Sequence, residues 1–384
     1  VNGRYDGSSK FPKSSRFGFF PSVSAGWQIA QERFMNSTRH WLDGLKLRAS
    51  YGVIGNQNIN PYTFTPSMSV NNKATSWIID DTYVTSISSL PALVSQNFTW
   101  EKVGTINVGL DVNLFNNRLS GVFEWYQRNT NGMLAPGVQL PAVVGASAPY
   151  QNTADMRTRG WELSLNWRDQ IGKVGYRIGF NLSDYKSEII KYDDNAATKL
   201  LSSYYPGQTL GEIWGYVVDG YYTVDDFVDT SSWQLKEGVT SINGYNVRPG
   251  DVKFKNLRDD DTSTNVITSG DNTFDNPGDR KVIGNTTPRY QYGINLGMNY
   301  AGFDLNVILQ GTGKRDYWIS NVLTFPMNGD NFVPLFEGLS DYWMPKDPDN
   351  GDWSAVNPNA KYPRIYGNRG NSGSNLRQSD KYLS

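Results

Sequence analysis

The stretch VGTINVGLDVNLFNNRLSGVFEWYQRN, residues 103–129, is typical of two strands joined by a tight turn. Its first half alternates strictly, with apolar side chains at Ile106, Val108, Leu110, Val112 and Leu114. Successive side chains of a strand point to opposite faces, so one face of this strand is aliphatic and the other is polar. In a soluble sandwich the aliphatic face would pack on a second sheet, whereas in a membrane barrel it would contact lipid. This stretch alone leaves both alternatives open.

Composition excludes several classes of protein. The chain has 384 residues, a formal net charge of -1, no cysteine and one histidine. Binding to nucleic acid is not expected, because there is no basic excess to neutralise phosphates. Disulfides, thiolate metal sites and a cysteine nucleophile are excluded. Aromatic residues make up 14% of the chain, and no stretch approaches the roughly 18 apolar residues of a membrane-spanning helix.

The same alternation test predicts about nine strands along the chain, and helical periodicity is scarce. The fold class is therefore predicted to be all-β. The predicted strands cover Val1–Tyr5, Phe17–Ile29, Leu45–Ile54, Glu101–Leu114, Leu119–Arg128, Gly160–Trp167, Val174–Ser183, Arg289–Tyr300 and Phe303–Gln310.

The connections between these strands alternate between short and long. Long structureless loops are uncommon in compact soluble domains, whereas long loops on one rim and tight turns on the other are typical of outer-membrane barrels. The sequence thus favours a transmembrane antiparallel β-barrel with long extracellular loops and short periplasmic turns, and a soluble β protein remains the alternative. The short joins are 31–44, 115–118, 168–173 and 301–302, and the long ones are 55–100, 129–159, 185–288 and everything after 311.

Strand length and charge positions agree with a barrel. Tyr290 and Tyr300 bracket one strand, whose ten residues rise roughly 25 Å at a tilt of about 40°, matching the apolar band between aromatic girdles. A charged side chain such as arginine in mid-bilayer costs about 2–4 kcal/mol. The aliphatic rows are therefore predicted to face lipid. The charged side chains of these strands are predicted to face the lumen, namely Arg48, Asp111, Glu162 and Arg177.

Several sequence blocks resemble the SusC/RagA family of TonB-dependent outer-membrane transporters, in family order along nearly the whole chain. Two of them are LKLRASYGVIGNQNI at 45–59 and NNRLSGVFEWYQRNTNGML at 116–134. The others are DGSSKF at 6–11, FFPSVSAGWQI at 19–29, MRTRGWELSLNW at 156–167, GDRKVIGNTTPRYQYGINLGMNYAGFDLNVILQGTGKRD at 278–316 and NPNAKYPRIY at 357–366.

The resemblance implies more than the periodicity does. It implies a Gram-negative outer-membrane barrel of about 22 strands closed by an N-terminal plug. It also implies a SusD-like surface lipoprotein as partner, energy from the TonB complex, and large substrates such as oligosaccharides or peptides. About nine strands cannot close such a barrel, and open edges are not tolerated in lipid. We therefore expect residues 1–384 to be a C-terminal portion of a longer protein that holds the plug, on which TonB acts.

Catalysis finds little support in the sequence, and the chain is not expected to be an enzyme. His40 lies in a short join beside Trp41, which is more typical of a periplasmic turn than of a general base. GTGKR at 311–315 lacks the earlier glycine of a phosphate-binding loop and is interpreted as a strand end.

An acidic cluster offers a candidate metal site. It runs from Asp251 through the aspartates at 259–261 to Asp279. Calcium takes several oxygen ligands, so Asp259, Asp261 and Asp279 are candidate ligands of a structural calcium ion. The run LRDDDTSTNV has no glycine for a sharp turn, so a solvated acidic loop is the favoured alternative. No other cofactor is expected.

Aromatic residues of the long loops are the candidate substrate contacts, because sugar C–H faces pack on aromatic rings while polar side chains bind the hydroxyls. The alternative is that these rings fill small loop cores or lie beneath the partner lipoprotein. The candidates are Trp77, Tyr83, Tyr204, Tyr205, Trp214, Tyr216, Tyr221, Tyr222 and Trp233, with Trp343 and Trp353 as further loop aromatics.

Together these features predict a component of an import channel that moves a substrate without transforming it. Two other functions remain open at this point. One is a plugless passive porin or structural barrel, and the other is a secreted glycan-binding β protein.

Overall fold

The computed structural model describes most of the chain, and its elements are largely β-strands. The described residues fall into two compact units, the first of Val1–Ala196, Tyr204–Leu210 and Arg289–Lys314, and the second of Ala197–Ser203, Gly211–Pro288 and Arg315–Ser384. None of the helices in the described ranges has the length and apolar character needed to cross a membrane. Those ranges are 1–68, 70–71, 78–79, 82–83, 87–88, 91, 93–95, 98–138, 140–195, 198–200, 204–258, 265–319, 337–366, 375 and 377–384.

Nine strands of the first unit form one antiparallel sheet, in which strands adjacent in sequence are adjacent in space. All nine predicted strands are confirmed. Within the described residues the two outermost strands pair along one side only, so the sheet does not close. The strands are β1 (Asn2–Gly7), β2 (Phe17–Gln28), β3 (Leu42–Asn56), β4 (Glu101–Leu114), β5 (Leu119–Pro136), β6 (Tyr150–Ile171), β7 (Val174–Tyr192), β8 (Arg289–Tyr300) and β9 (Phe303–Lys314).

Three of these strands are much longer than predicted. β6 has 22 residues where the alternation predicted eight, and β5 and β7 have 18 and 19 residues. Their added segments lack one uniformly apolar face, so the hydrophobic period is lost while the ladder continues, as in the pairs Arg159↔Gln127 and Arg159↔Lys186. The long join predicted at 129–159 is therefore reduced to residues 137–149.

The opposite rim carries the tight turns that the sequence predicted. The turn between β4 and β5 places Phe115, Asn116 and Asn117 in left-handed conformations, with φ of 57°, 57° and 60°. The two-residue turn between β8 and β9 does the same at Ala301 and Gly302. Consecutive positive φ values match the right-handed twist of the flanking strands, which keeps these hairpins short. The β2–β3 join, in contrast, contains two 3₁₀ helices.

The remaining elements are short. The 3₁₀ helices are Lys13–Ser15, Ile29–Gln31, Arg33–Thr38, Ala142–Val144, Asp193–Asn195, Val224–Asp226, Glu337–Leu339, Pro348–Asn350 and Asp380–Tyr382. The paired short strands are Val70–Asn71 with Ile87–Ser88, Ile78–Ile79 with Thr82–Tyr83, Glu212–Tyr216 with Arg280–Asn285, Val218–Tyr221 with Val252–Phe254, Ser241–Ile242 with Val266–Ile267, and Pro345–Asp347 with Asp352–Ala355.

The register brings the apolar side chains of neighbouring strands onto one face of the sheet. Val108 and Phe123 remain 39% and 44% exposed there. Six apolar side chains, one from each of β3–β8, lie side by side on this face and are here called the apolar row. Among the described residues, no member of this row belongs to a buried hydrophobic cluster. This face is therefore uncovered by protein within the first unit, as expected of a lipid-facing surface. One continuous row across six strands is Leu47, Leu110, Phe123, Leu163, Leu182 and Tyr292.

Aromatic residues mark both ends of this apolar band. At the loop side, Trp125 of β5 pairs with Trp161 of β6. Two residues further along the same face the pair becomes polar, with Arg159 Nε donating to Gln127 Oε1 over 2.9 Å. At the turn side, Trp167 Nε1 donates to the Tyr176 hydroxyl over 3.3 Å. The band therefore has the two girdles that characterise a transmembrane barrel.

Candidate functional site

The face opposite the apolar band carries paired charges. Arg48 Nε of β3 lies 3.1 Å from Asp111 Oδ1 of β4, and its Nη2 also pairs with Glu124 of β5. The guanidinium reaches across Gly109, where a Cβ atom would lie only 2.7 Å from Arg48 Cζ. The predicted segregation of charge onto the polar face is confirmed here, and the charges stabilise one another across three strands.

A second arginine lies over a glycine between β7 and β9. Arg177 of β7 passes over Gly297 of β8 and its Nη2 donates to Asn306 Oδ1 of β9 over 2.5 Å. The two arginine side chains thus lie along the sheet over glycines. The polar face is consequently smooth and hydrophilic, which suits the wall of an aqueous path.

A methyl group at Gly109 should disturb the charged triplet. We expect Gly109→Ala to displace the Arg48 guanidinium from Asp111 and Glu124 and to destabilise the barrel by about 1–2 kcal/mol. The thermal unfolding midpoint of the purified full-length protein, read by the gel mobility of heated samples, measures the effect. Gly293→Ala is the matched control, because the nearest atom to its added Cβ lies 3.8 Å away. Equal midpoints for both variants would contradict the proposed role of Gly109.

The second unit has its own aromatic core. Eight of its residues form one buried cluster, and Tyr222 is fully buried with its hydroxyl donating to the Thr240 carbonyl over 2.6 Å. Burial raises the pKa of Tyr222 to about 12. The cluster contains Tyr216, Tyr222, Phe227, Ile242, Val247, Val252, Phe254 and Ile267.

The predicted substrate contacts divide by burial. Four of them, Tyr205, Trp214, Tyr216 and Tyr222, are buried, and Trp343 is also buried at 2% exposure. Their burial agrees with packing in small loop cores, which is one of the alternatives that the sequence left open. Trp77 and the Tyr83 side chain lie outside the described residues. Substrate contact by the nine candidates stays a prediction.

The accessible candidates lie in two places. In the first unit Tyr204 is 47% exposed and packs edge-on against Tyr192, with ring centroids 5.6 Å apart. In the second unit Trp233 and Trp353 are partly exposed. The Tyr221 hydroxyl already has a hydrogen-bond partner within the unit, since it donates to the Ala360 carbonyl oxygen over 2.9 Å.

Trp233 and Trp353 belong to an aromatic–arginine patch, which we define as Trp233, Arg248, Trp353 and Arg364. The two indole centroids lie 5.1 Å apart in an edge-to-face contact. Arg248 Cζ lies 5.5 Å from the Trp233 ring, and Arg364 Cζ lies 5.6 Å from the Trp353 ring. The patch offers aromatic faces beside guanidinium donors, which suits a polar ligand with flat apolar faces. Sequence reasoning missed both arginines, because no local residue pattern in the loops links either of them to a tryptophan.

A buried carboxylate positions this patch. Asp251 is 1% exposed and accepts hydrogen bonds from Arg248 N over 2.7 Å, the Tyr366 hydroxyl over 2.6 Å and Asn375 Nδ2 over 3.0 Å. Burial raises the pKa of Asp251, and the positive charge of Arg364 opposes that shift. Asp251 therefore fastens the segment after Arg364 to the loop that carries Arg248.

The candidate calcium ligands are only partly described. Asp259 and Asp261 lie outside the described residues. Asp279 is 1% exposed, its Oδ1 accepts from Leu257 N over 2.9 Å and its Oδ2 accepts from Thr268 N over 2.7 Å. In the part of the chain that is described, no group of three or more acidic or histidine side chains is arranged to hold a metal. Asp279 thus orders two backbone segments, and calcium binding stays a prediction.

His40 and the glycine-rich run at 311–315 lie where the sequence predicted them, in a short join and at the end of a strand. His40 is exposed, with Nδ1 3.0 Å from the Ser37 carbonyl oxygen in the β2–β3 join. The GTGK residues of the glycine-rich run form the end of β9, which confirms the interpretation of a strand end.

Comparison with known proteins identifies the family. Residues 1–382 match the family model described as TonB dependent receptor-like, beta-barrel. TonB-dependent receptor P3 of Formosa agariphila is 30% identical over 327 residues, covering 80% of this chain and 29% of that protein. TonB-dependent receptor SusC of Bacteroides thetaiotaomicron is 35% identical over 191 residues, covering 49% of this chain and 19% of SusC.

A solved structure shares the fold over the whole chain. The RagAB peptide importer in its closed-closed state matches with a TM-score of 0.71 at 22% identity, covering 100% of this chain and 37% of that one. The chain thus spans less than two fifths of the relatives it matches. The family resides in the Gram-negative outer membrane and consists of transporters, not enzymes. The girdled apolar band and the charged opposite face agree with these matches, and the match over residues 1–382 shows that the chain belongs to the TonB-dependent receptor-like β-barrels, with SusC among its relatives.

Proposed function

We propose that the protein containing this chain is an outer-membrane import channel for oligosaccharides or peptides. In this proposal a SusD-like lipoprotein on the cell surface delivers the cargo, and the TonB complex supplies the energy. The chain forms part of a closed barrel of about 22 strands, and its long loops contribute to the binding mouth. The cargo is moved without chemical change.

The observation that carries this proposal is the opposite chemistry of the two faces of the sheet. One face is an apolar band with aromatic ends, and the other holds paired charges such as Arg48 with Asp111. A wall with lipid on one side and water on the other suits a channel for hydrophilic cargo. Sequence similarity to SusC and structural similarity to the RagAB peptide importer support the same conclusion.

Uptake by intact cells tests the proposal. Cells that produce the full-length protein and its lipoprotein are given a fluorescent oligosaccharide or peptide, beside cells that lack TonB or the lipoprotein. We expect uptake to fall to background in either deletion. Unchanged uptake without TonB would favour a passive porin instead.

Fractionation separates the proposal from a secreted glycan-binding protein. A barrel protein should stay with the outer membrane, need detergent for extraction and change its gel mobility on heating. Recovery in the culture medium without detergent would contradict the channel.

A further inference from the structure

A cavity of about 530 Å³ lies within the second unit, next to the buried aromatic core. Strands Glu212–Tyr216 and Arg280–Asn285 form one side of it, and residues 267–270 and 377–378 form the rest. Buried Trp214 and Tyr216 line its inner end, whereas exposed Asn243 and Ser269 lie at its opening. The cavity is thus partly aromatic and open to solvent.

Arg280 brings a buried positive charge to this cavity. Its side chain is 7% exposed, and its Nε and Nη2 donate to the carbonyl oxygens of Pro277 and Ser269 over 3.1 and 2.8 Å. Both acceptors are neutral, so they satisfy donors without cancelling the charge. Burying an uncompensated charge is costly. Burial accordingly lowers the pKa of Arg280.

Arg377 brings a second positive charge to the same cavity. Its Cζ lies 5.2 Å from the Tyr216 ring centroid and 5.0 Å from the Tyr245 ring centroid. These rings hold the guanidinium through cation–π contacts without neutralising it. Across the described ranges, neither Arg280 nor Arg377 forms an ion pair with a carboxylate. Two uncompensated guanidinium groups therefore line one cavity.

Guanidinium groups bind planar oxyanions through paired, charge-assisted hydrogen bonds. A carboxylate entering the cavity would cancel charge that the protein itself leaves unpaired, and the aromatic inner end would cover an attached apolar segment. We propose that the Arg280–Arg377 cavity binds a carboxylate group of the imported cargo. This inference rests on the proposed import function and adds to it a preference for acidic substrates.

The carboxylate has two chemical sources, an acidic peptide or an acidic oligosaccharide. Titration calorimetry on the full-length transporter with its lipoprotein, in detergent, distinguishes them. The peptide probes are hexaglutamate and hexaglutamine, and the sugar probes are hexamers of galacturonic acid and of galactose. We expect at least one acidic probe to bind about tenfold or more tightly than its neutral counterpart. The pair that shows the preference identifies the source.

Arg377→Gln tests the residue without opening a void in the core, because Arg377 is itself partly exposed. We expect it to weaken binding of the preferred acidic probe by about 10- to 100-fold while leaving the neutral probe unchanged. Lys236→Gln is the matched control, since it removes one positive charge from an exposed position of the same unit. Arg280→Lys keeps the buried charge but loses the forked geometry, and it should give an intermediate loss.

The outcomes separate this inference from the proposed function. Equal affinity for acidic and neutral probes, or an unchanged affinity in Arg377→Gln, would overturn the carboxylate site even if import depends on TonB. Absence of binding by every probe would overturn it as well. A protein that prefers the acidic probes but shows no TonB-dependent uptake would refute import and support the site.

Discussion

Leu110→Arg is expected to prevent assembly of the protein in the outer membrane. Leu110 is the central one of the five apolar residues at 106–114 of β4, and it pairs with Leu47 on one side and Phe123 on the other. An arginine on the lipid face near the bilayer midplane costs about 2–4 kcal/mol, a large part of the stability of an ordinary domain. The measurement is the amount of heat-modifiable full-length protein in the outer-membrane fraction, which should fall to near zero.

Asn107→Arg is the matched control for this experiment. Asn107 lies on the same strand but on the polar face, paired with Ser50 and Tyr126. The same charged side chain is there exposed to water, so assembly should stay close to that of the wild type. Normal assembly of Leu110→Arg, or equal failure of both variants, would refute the assignment of the two faces.

Asp251→Ala is expected to lower the free energy of unfolding of the second unit by about 2–4 kcal/mol. The substitution leaves one buried donor on Asn375 and two partly buried donors, on Arg248 and Tyr366, without their acceptor. Asn375 also accepts from Val252 N over 2.7 Å, so the tie between two distant segments is lost. Limited proteolysis of the full-length protein should then cut the second unit at least about 30-fold faster.

The barrel should be unaffected by this change, so heat-modifiable assembly provides the internal check. Asp225→Ala is the matched control, because Asp225 is an exposed aspartate of the same unit. It should be cut at the rate of the wild type. Equal cleavage of the two variants would show that Asp251 does not hold these segments together.

The pH dependence of the second unit follows from the same carboxyl group. Because burial raises the pKa of Asp251 above the ordinary value of 3.8, the folded form binds this proton more tightly than the unfolded form. The contribution of the Asp251 carboxyl group to the free energy of unfolding is therefore most favourable below the ordinary pKa and falls as the pH rises through the raised pKa. Asp251→Asn has no such proton, so its cleavage rate should lack the rise with pH that the wild type shows. Parallel pH profiles would contradict this assignment.

The strands could be predicted wherever one face is apolar. The period of two in residues 106–114 and 161–167 is imposed by lipid on one side, so it is readable in the sequence. It fails beyond Trp161, because the face that was apolar becomes polar at Arg159 and Arg157, while Thr158 on the other face is buried by protein. The ladder of backbone hydrogen bonds continues without any hydrophobic signal, which is why β6 extends to Tyr150.

The sequence predicted which types of residue the candidate site contains, but it did not predict which positions come together. The sequence named the loop aromatics as candidates, but it has no period in the loops that separates a buried Tyr222 from a partly exposed Trp233. Arg280 and Arg377 gave no signal, since 97 positions separate them (377 minus 280). Their common cavity exists only after the chain between them has folded.

The sequence by itself determined the strands, their order and the chemistry of each face, because alternation against a bilayer is a local property of neighbouring residues. Only the tertiary structure decided which loop aromatics are core, where Asp251 is anchored and which arginines share a cavity. Burial and charge compensation depend on contacts between residues far apart in the chain, and no local pattern of residues encodes such contacts.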